Sequence, residues 1–266
     1  METKIRIRHG DLEVECTGDD VFVTTRLPDL LSELLRRIGT QEPSPISQPA
    51  PEPRPIGITG DVRDYFTGGP IPGAVVTAQG LAPELSATSD ASGRFVLLGK
   101  AAGADARLTV TGVDVFAPTT TGPFEVVSAT LTLPAFAVSN ADLNRQYAVL
   151  GRTRPTGSTV IIVHLLDSSR APLELVPAAD LALFDVGGRP VGDGPYFFGP
   201  AGDVEPQEQL SVSRAFNGKA RAGFLDVPAG DSTLQLTVAH PGGGFQRVTV
   251  QVRAGGGASI VEATLA

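Results

Sequence analysis

Residues 89–110, SDASGRFVLLGKAAGADARLTV, decide the fold. The turn Asp90-Ala91-Ser92-Gly93 opens a strand-like run, RFVLLG; a small-residue loop follows, then ARLTV. Residues 217–238, NGKARAGFLDVPAGDSTLQLTV, repeat that order. Working outward, GDVRDYFTGGPIPGAVVTA (60–78) precedes the first stretch, and VHLLDSSRAPLELVPAADLALFD (163–185) precedes the second. Each reads as a strand ending near an Asp, a loop with proline, and a small-residue entry to the next strand. The chain therefore reads as two divergent copies of one β-module, residues 56–136 and 147–266. The second carries an insertion at 194–216. Turn signals recur every ~8–12 residues, as in a sandwich. IGITGDVR, GAVVTAQG, ELSATS, RFVLLG, ARLTVTG and VVSATLTL are the strands expected in the first copy. YAVLGRT, STVIIVHLL, DLALFDV, KARAGFLDV, STLQLTV, QRVTVQVR and SIVEATL are those of the second. The expected class is mainly β: two tandem Greek-key β-sandwich modules, preceded by a small ββα unit and a proline-rich linker.

That unit is residues 1–39. KIRIR and LEVEC alternate apolar with basic and acidic residues respectively, so the two runs suit a hairpin paired across its ladder. Leu27, Leu30, Leu31, Leu34, Leu35 and Ile38 then follow the i, i+3, i+4 spacing of an amphipathic helix, ending at Gly39. A hairpin with so few apolar positions covers this stripe poorly, and burying each Leu contributes about 1.5–3 kcal/mol. The stripe is therefore a candidate surface for docking on a protein partner or for self-association. Residues 40–55, TQEPSPISQPAPEPRP, hold six prolines. They read as a polyproline-type linker able to span about 50 Å.

Composition narrows the function classes. The chain has 266 residues, a net charge of −8 and 41% hydrophobic residues. An acidic globular chain lacks the clustered basic face that nucleic acid requires. No run approaches the length of a membrane span. The single cysteine, Cys16, forms no internal disulfide. With no apolar stretch resembling a signal peptide at the N-terminus, these features predict a cytoplasmic chain. Export without a cleaved signal, or incorporation into a larger assembly, stays open.

Gly60, Val62, Pro72, Gly73, Ala74, Val76, Thr88, Gly93 and Phe95 form a pattern that resembles the carboxypeptidase regulatory-like domain, whose fold is a transthyretin-like (prealbumin-like) seven-stranded sandwich. The resemblance covers residues 56–136 and reaches 147–266 only through the internal repeat. It implies a fold and a habit of interaction or stabilisation, not a reaction.

No catalytic motif stands out. His9, His164 and His240 are isolated, there is no GxSxG elbow, and no glycine-rich loop opens a helix after a strand. No catalytic residue, metal ligand or cofactor is expected. The first expectation is a non-enzymatic interaction or structural protein, in which the N-terminal unit docks or self-associates and the linker presents the two sandwiches. A second reading is a carbohydrate or surface-ligand binder using loops of the second sandwich, although the chain has no Trp. A third is a metal-dependent enzyme on that sandwich, with Tyr147, His164, Tyr196 and His240 as an iron set. Asp167, Asp203, Glu205 and Glu208 are acids of a calcium-loop type. Three consecutive aromatics, Tyr196, Phe197 and Phe198, either plug the core or form a partner-binding cluster.

Overall fold

The structure is a computed structural model that describes residues 3–9, 12–18, 52–173, 176–199, 201–205, 215–216, 219–228, 232–239, 245–252 and 256–264. The chain divides into two compact units, 1–50 and 51–266. In the first, β1 (Thr3–His9) and β2 (Leu12–Gly18) form an antiparallel hairpin. Arg6 lies opposite Glu15 and Arg8 opposite Glu13, so the basic strand meets the acidic one in register. The expected helix at 27–38 and its leucine stripe lie outside the described residues.

The second unit starts with β3 (Arg54–Asp64). The last two residues assigned to the linker, Arg54 and Pro55, thus belong to a strand. On one side β3 pairs antiparallel with β6 (Arg94–Ala101). On its other side lie, in turn and parallel, β10 (Thr130–Thr132) and β11 (Ala135–Ser139). VVSATLTL is therefore not one strand: residues 126–129 are a loop, and the chain breaks at Leu133 and Pro134. Facing this sheet are β4 (Val75–Gln79), β5 (Leu85–Thr88), β7 (Asp105–Thr111) and β9 (Thr119–Glu125). The short β8 (Phe116–Ala117) pairs with β11. Ile58, Val62, Val76, Phe95, Leu97, Leu108 and Val110 fill the core between the two layers. Two glycines of the motif are required sterically. A Cβ on Gly60 would lie 2.0 Å from the Leu133 carbonyl oxygen and 2.9 Å from the Phe95 ring. Gly93 turns at φ +82°, with its Cβ position 2.8 Å from the Val62 carbonyl oxygen.

The same pairing scheme recurs downstream. β12 (Thr159–Leu166) pairs antiparallel with β17 (Lys219–Val227) and parallel with β20 (Gly257–Thr264). β13 (Leu181–Asp185), β18 (Ser232–Ala239) and β19 (Phe245–Val252) form the facing sheet. Every residue of β12 is buried, as a continuous apolar run covered on both faces demands. Its odd-numbered side chains, Ile161, Val163 and Leu165, point into the core shared with β13 and β18.

Between the two halves the sequence reading needs correction. YAVLGRT is not a strand: residues 140–149 form α1 (Asn140–Val149). Ser139 caps it, accepting the Asp142 N–H at 2.9 Å. Leu143, Gln146 and Tyr147 are its buried stripe, an i, i+3, i+4 set. Residues 137–146, assigned to neither module, are thus part of the folded unit. β20 also pairs in parallel with β9, Ala258–Ile260 against Thr119–Thr121. One ten-stranded sheet consequently runs through both halves.

Candidate functional site

The site that the structure assembles is the joint between these halves. The even-numbered side chains of β12 face away from its own core. Val160 and Ile162 join Ala258, Ile260 and Leu225 of neighbouring strands in a third apolar cluster, closed by Leu143 and Tyr147 of α1 and by Tyr65, Ala117 and Val138. His164 continues that row. It lies opposite Arg221 on β17 and Glu262 on β20, so three ionisable side chains share one face across three strands.

His164 is 1% and Arg221 4% exposed. The Tyr65 hydroxyl lies 2.6 Å from His164 Nε2, and the two rings stack at 5.7 Å. The Arg221 guanidinium sits 4.6 Å from the centre of the Tyr65 ring, a desolvated cation–π contact. Burial holds the Tyr65 phenol well above its ordinary range, against the pull of Arg221. Burial likewise lowers the Arg221 guanidinium. A phenol held this high stays protonated at neutral pH, so Tyr65 serves as a hydrogen-bonding group and not as a base. Glu262, on the rim, pairs with Arg170 at 2.5 Å. A small open cleft, lined by Thr121, Phe124, Phe136, His164 and Glu262 among others, reaches this end of the row.

A second polar group pins α1 to the end of β17. The Tyr147 hydroxyl donates to Asp226 Oδ1 at 2.9 Å and accepts the Asp226 N–H at 3.1 Å. Asp226 adopts φ +53°, unusual for a residue with a side chain. Arg152 bridges Asp226 and Asp193, and Tyr196 donates to Asp193 Oδ2 at 2.7 Å.

These contacts settle where the candidate residues lie. Tyr196, Phe197 and Phe198 are not an exposed cluster. They form part of β14 (Asp193–Phe198), paired with β17 and with β15 (Val204–Glu205). They are 7%, 2% and 3% exposed. Phe197 enters the second half's core, and Tyr196 and Phe198 enter the joint. The period of a strand sends alternate aromatics to opposite faces, and here both faces are covered. The proposed iron set is not brought together: Tyr147 binds Asp226, Tyr196 binds Asp193 and His164 meets Tyr65, while His240 lies outside the described residues. Asp167 spends one carboxylate oxygen on Ser169 N–H and Oγ–H and on Ala171 N–H, and Asp203 pairs with Arg145. Glu208 lies outside the described residues. No group of three or more potential metal ligands occurs among the described residues. Leu27, Leu30, Leu31, Leu34, Leu35 and Ile38 also fall outside them. Sequence reasoning missed Tyr65 and Arg221, and saw His164 only as an isolated histidine or as a member of the iron set, never beside Tyr65. The signal for His164 was its place inside TVIIVHLL, a run buried on both faces.

No family model matches the chain, and no curated protein matches it. Among solved structures it is similar to the Bacillus anthracis TIE protein at 12% identity and a TM-score of 0.25, over 79% of this chain and 33% of that one. The chain thus spans a third of the TIE protein's length. It is similar to the shaft pilin SpaA of Lactobacillus rhamnosus GG at 11% identity and a TM-score of 0.22, covering 80% and 98% of the two chains. It is similar to the major pilin subunit BcpA of Bacillus cereus at 9% identity and a TM-score of 0.27, covering 79% and 99%. Likeness of this degree reaches no further than strand-rich architecture. The structures it is similar to include pilins, and the expectation of a cytoplasmic chain is withdrawn.

Proposed function

We propose that the protein is a non-enzymatic structural and interaction protein. Residues 1–39 attach it to a partner or to another copy, and the body beyond the proline-rich segment is two carboxypeptidase regulatory-like sandwiches fused into one rigid piece. The observation that carries this reading is the joint. A ten-stranded sheet crosses it, a third apolar cluster fills it, and Tyr65, His164 and Arg221 engage one another in the interior. Groups held this way position two halves.

The test is sedimentation of the full chain beside the double variant Leu31→Asp, Leu34→Asp and a fragment beginning at residue 52. Cutting at 52 spares the pairing of Arg54 with Ala101. Attachment through residues 1–39 predicts a higher mass, or a recovered partner, for the full chain alone. Equal mass and equal partners for all three would remove the docking role.

A further inference from the structure

Among the described residues no strand pairs with the outer edge of β6 as far as Lys100; just beyond it, Ala102 exchanges both backbone hydrogen bonds with Ala82. The hydrogen bonding of β3 shows which residues face that edge. The Gly57 N–H donates to the Ala129 carbonyl at 2.7 Å, and the Thr59 carbonyl accepts the Leu133 N–H at 2.9 Å. Both residues therefore direct their backbone groups away from β6. Their partners across the ladder are Leu98 and Val96. In an antiparallel pair such positions alternate with bonded ones, so Leu98 and Val96 direct their own backbone groups away from β3. Lys100 follows in phase, opposite Pro55, which has no N–H to give. Arg94 is already used: its carbonyl accepts the Asp90 N–H, and its N–H donates to Asp90 Oδ1. Val96, Leu98 and Lys100 thus present N–H and C=O groups that no strand pairs with among the described residues.

The side chains on this row are as open as the backbone. Leu98 is 75% and Val96 52% exposed. Arg94 and Lys100, both exposed, flank them. Basic, apolar, apolar, basic is a pattern that resists its own copy: antiparallel pairing of two β6 strands about Leu97 sets Arg94 opposite Lys100. It favours a strand with acids at the ends and apolar residues between, in either direction.

The chain itself shows what such an edge accepts. β17 is the counterpart of β6, joined to β12 as β6 is to β3. Its corresponding edge is filled by β14, with Tyr196 opposite Gly223 and Phe197 opposite Ala222. In the first half β5 pairs with β4 instead; the chain touches the edge of β6 only at the Ala82–Ala102 bridge, and among the described residues no strand lies beside Val96–Lys100.

The geometry points to β6 as a docking edge for an extended segment of a partner protein, about seven residues with an acid at each end and apolar residues at the facing positions between, added as a further strand. The inference concerns the first half alone and stands apart from residues 1–39.

The test titrates the full chain with the labelled peptide ETVTVTE, with KTVTVTK and a scrambled peptide of the same composition as controls. Leu98→Lys, and independently Val96→Lys, alter exposed side chains only, so both should melt like the parent. Expected results are saturable binding of ETVTVTE, weaker by about tenfold in either variant, and no matching affinity for the controls. N-methylation of alternate peptide nitrogens should remove binding in one of the two phases, because an added strand uses every second N–H. No binding at millimolar peptide, equal binding of the controls, or indifference to both variants would overturn the proposal. A concentration-dependent dimer of the parent that Leu98→Lys dissolves would also overturn it, in favour of a second copy at this edge.

Discussion

Gly257→Ala tests whether the shared sheet holds the two halves together. Gly257 opens β20 at φ +119°, where a side chain is strained. Its Cβ would lie 2.0 Å from the Pro118 carbonyl oxygen. That oxygen also accepts the Ala258 N–H at 2.9 Å, next to the first paired residues of β20 and β9. Relief requires the strands to part by more than an ångström. A residue forced into glycine-only backbone space costs about 1–3 kcal/mol, and a lost hydrogen bond adds about 1 kcal/mol. The sum is roughly 2–4 kcal/mol. For a body of roughly 200 residues each kcal/mol lowers Tm by about 2–4 °C, which gives a fall of about 5–15 °C. Calorimetry reads the total. Hydrogen exchange should localise it to residues 117–121 and 257–261, with β13 and β18 unchanged. A Tm within about 1 °C of the parent and unaltered exchange at the joint would refute this account of it.

Two further outcomes concern pH. All three tyrosines are held above their ordinary value of 10.0, chiefly by burial, with Tyr196 pushed up to about 12. A raised phenol stabilises the fold fully below pH 10 and loses that contribution as pH climbs toward its folded value. Tyrosinate absorbance should therefore stay silent until well above pH 10 and emerge together with unfolding; one phenol ionising near 10 in the folded chain would contradict this. Asp90, Asp167 and Asp185 are held below their ordinary 3.8: Asp90 and Asp167 first by a seryl hydroxyl and Asp185 first by a backbone N–H. Their contribution is complete above that pH and drains away as pH falls through the lowered folded values. Carbon-detected NMR should find all three titrating low, and Asp90→Ala should flatten the acid limb of the stability curve; ordinary titration of Asp90 would disprove it.

The strand-rich class was legible because turn chemistry leaves a local trace. Asp90-Ala91-Ser92-Gly93 is read as a turn from residue type, and the Asp90 carboxylate does accept the Ser92 and Arg94 N–H groups. Most strands around it alternate or run apolar, which periodicity detects. The joint was hidden because it depends on pairing between distant segments. Nothing local in TTTGPFE states that Thr119–Thr121 will lie beside Ala258–Ile260. α1 was missed because Ala141, Asn144 and Arg145 on its outer side and the polar buried Gln146 blur the apolar stripe, which only Leu143 and Tyr147 carry. Gln146 is buried by a reciprocal pairing that sequence cannot reveal: it donates to the Gly202 carbonyl and accepts the Val204 N–H.

The two halves diverge at one strand, and its composition explains why. After β4 the chain forms LSAT, with Leu85 buried and Ser86 and Thr88 exposed. A strand apolar on one side only is suited to the edge of a sheet with one covered face, and β5 lies there beside β4. After β13 the chain instead forms PYFF, apolar at every position. Placed beside β13, such a strand would leave alternate aromatics in water. Beside β17 one face meets the second half's core and the other meets the joint, so all three aromatics are buried. The strand therefore crosses to the opposite sheet, filling the edge that its counterpart leaves open. Covering β17 and exposing β6 are in this sense consequences of one difference in sequence, the exchange of a half-polar strand for a wholly apolar one.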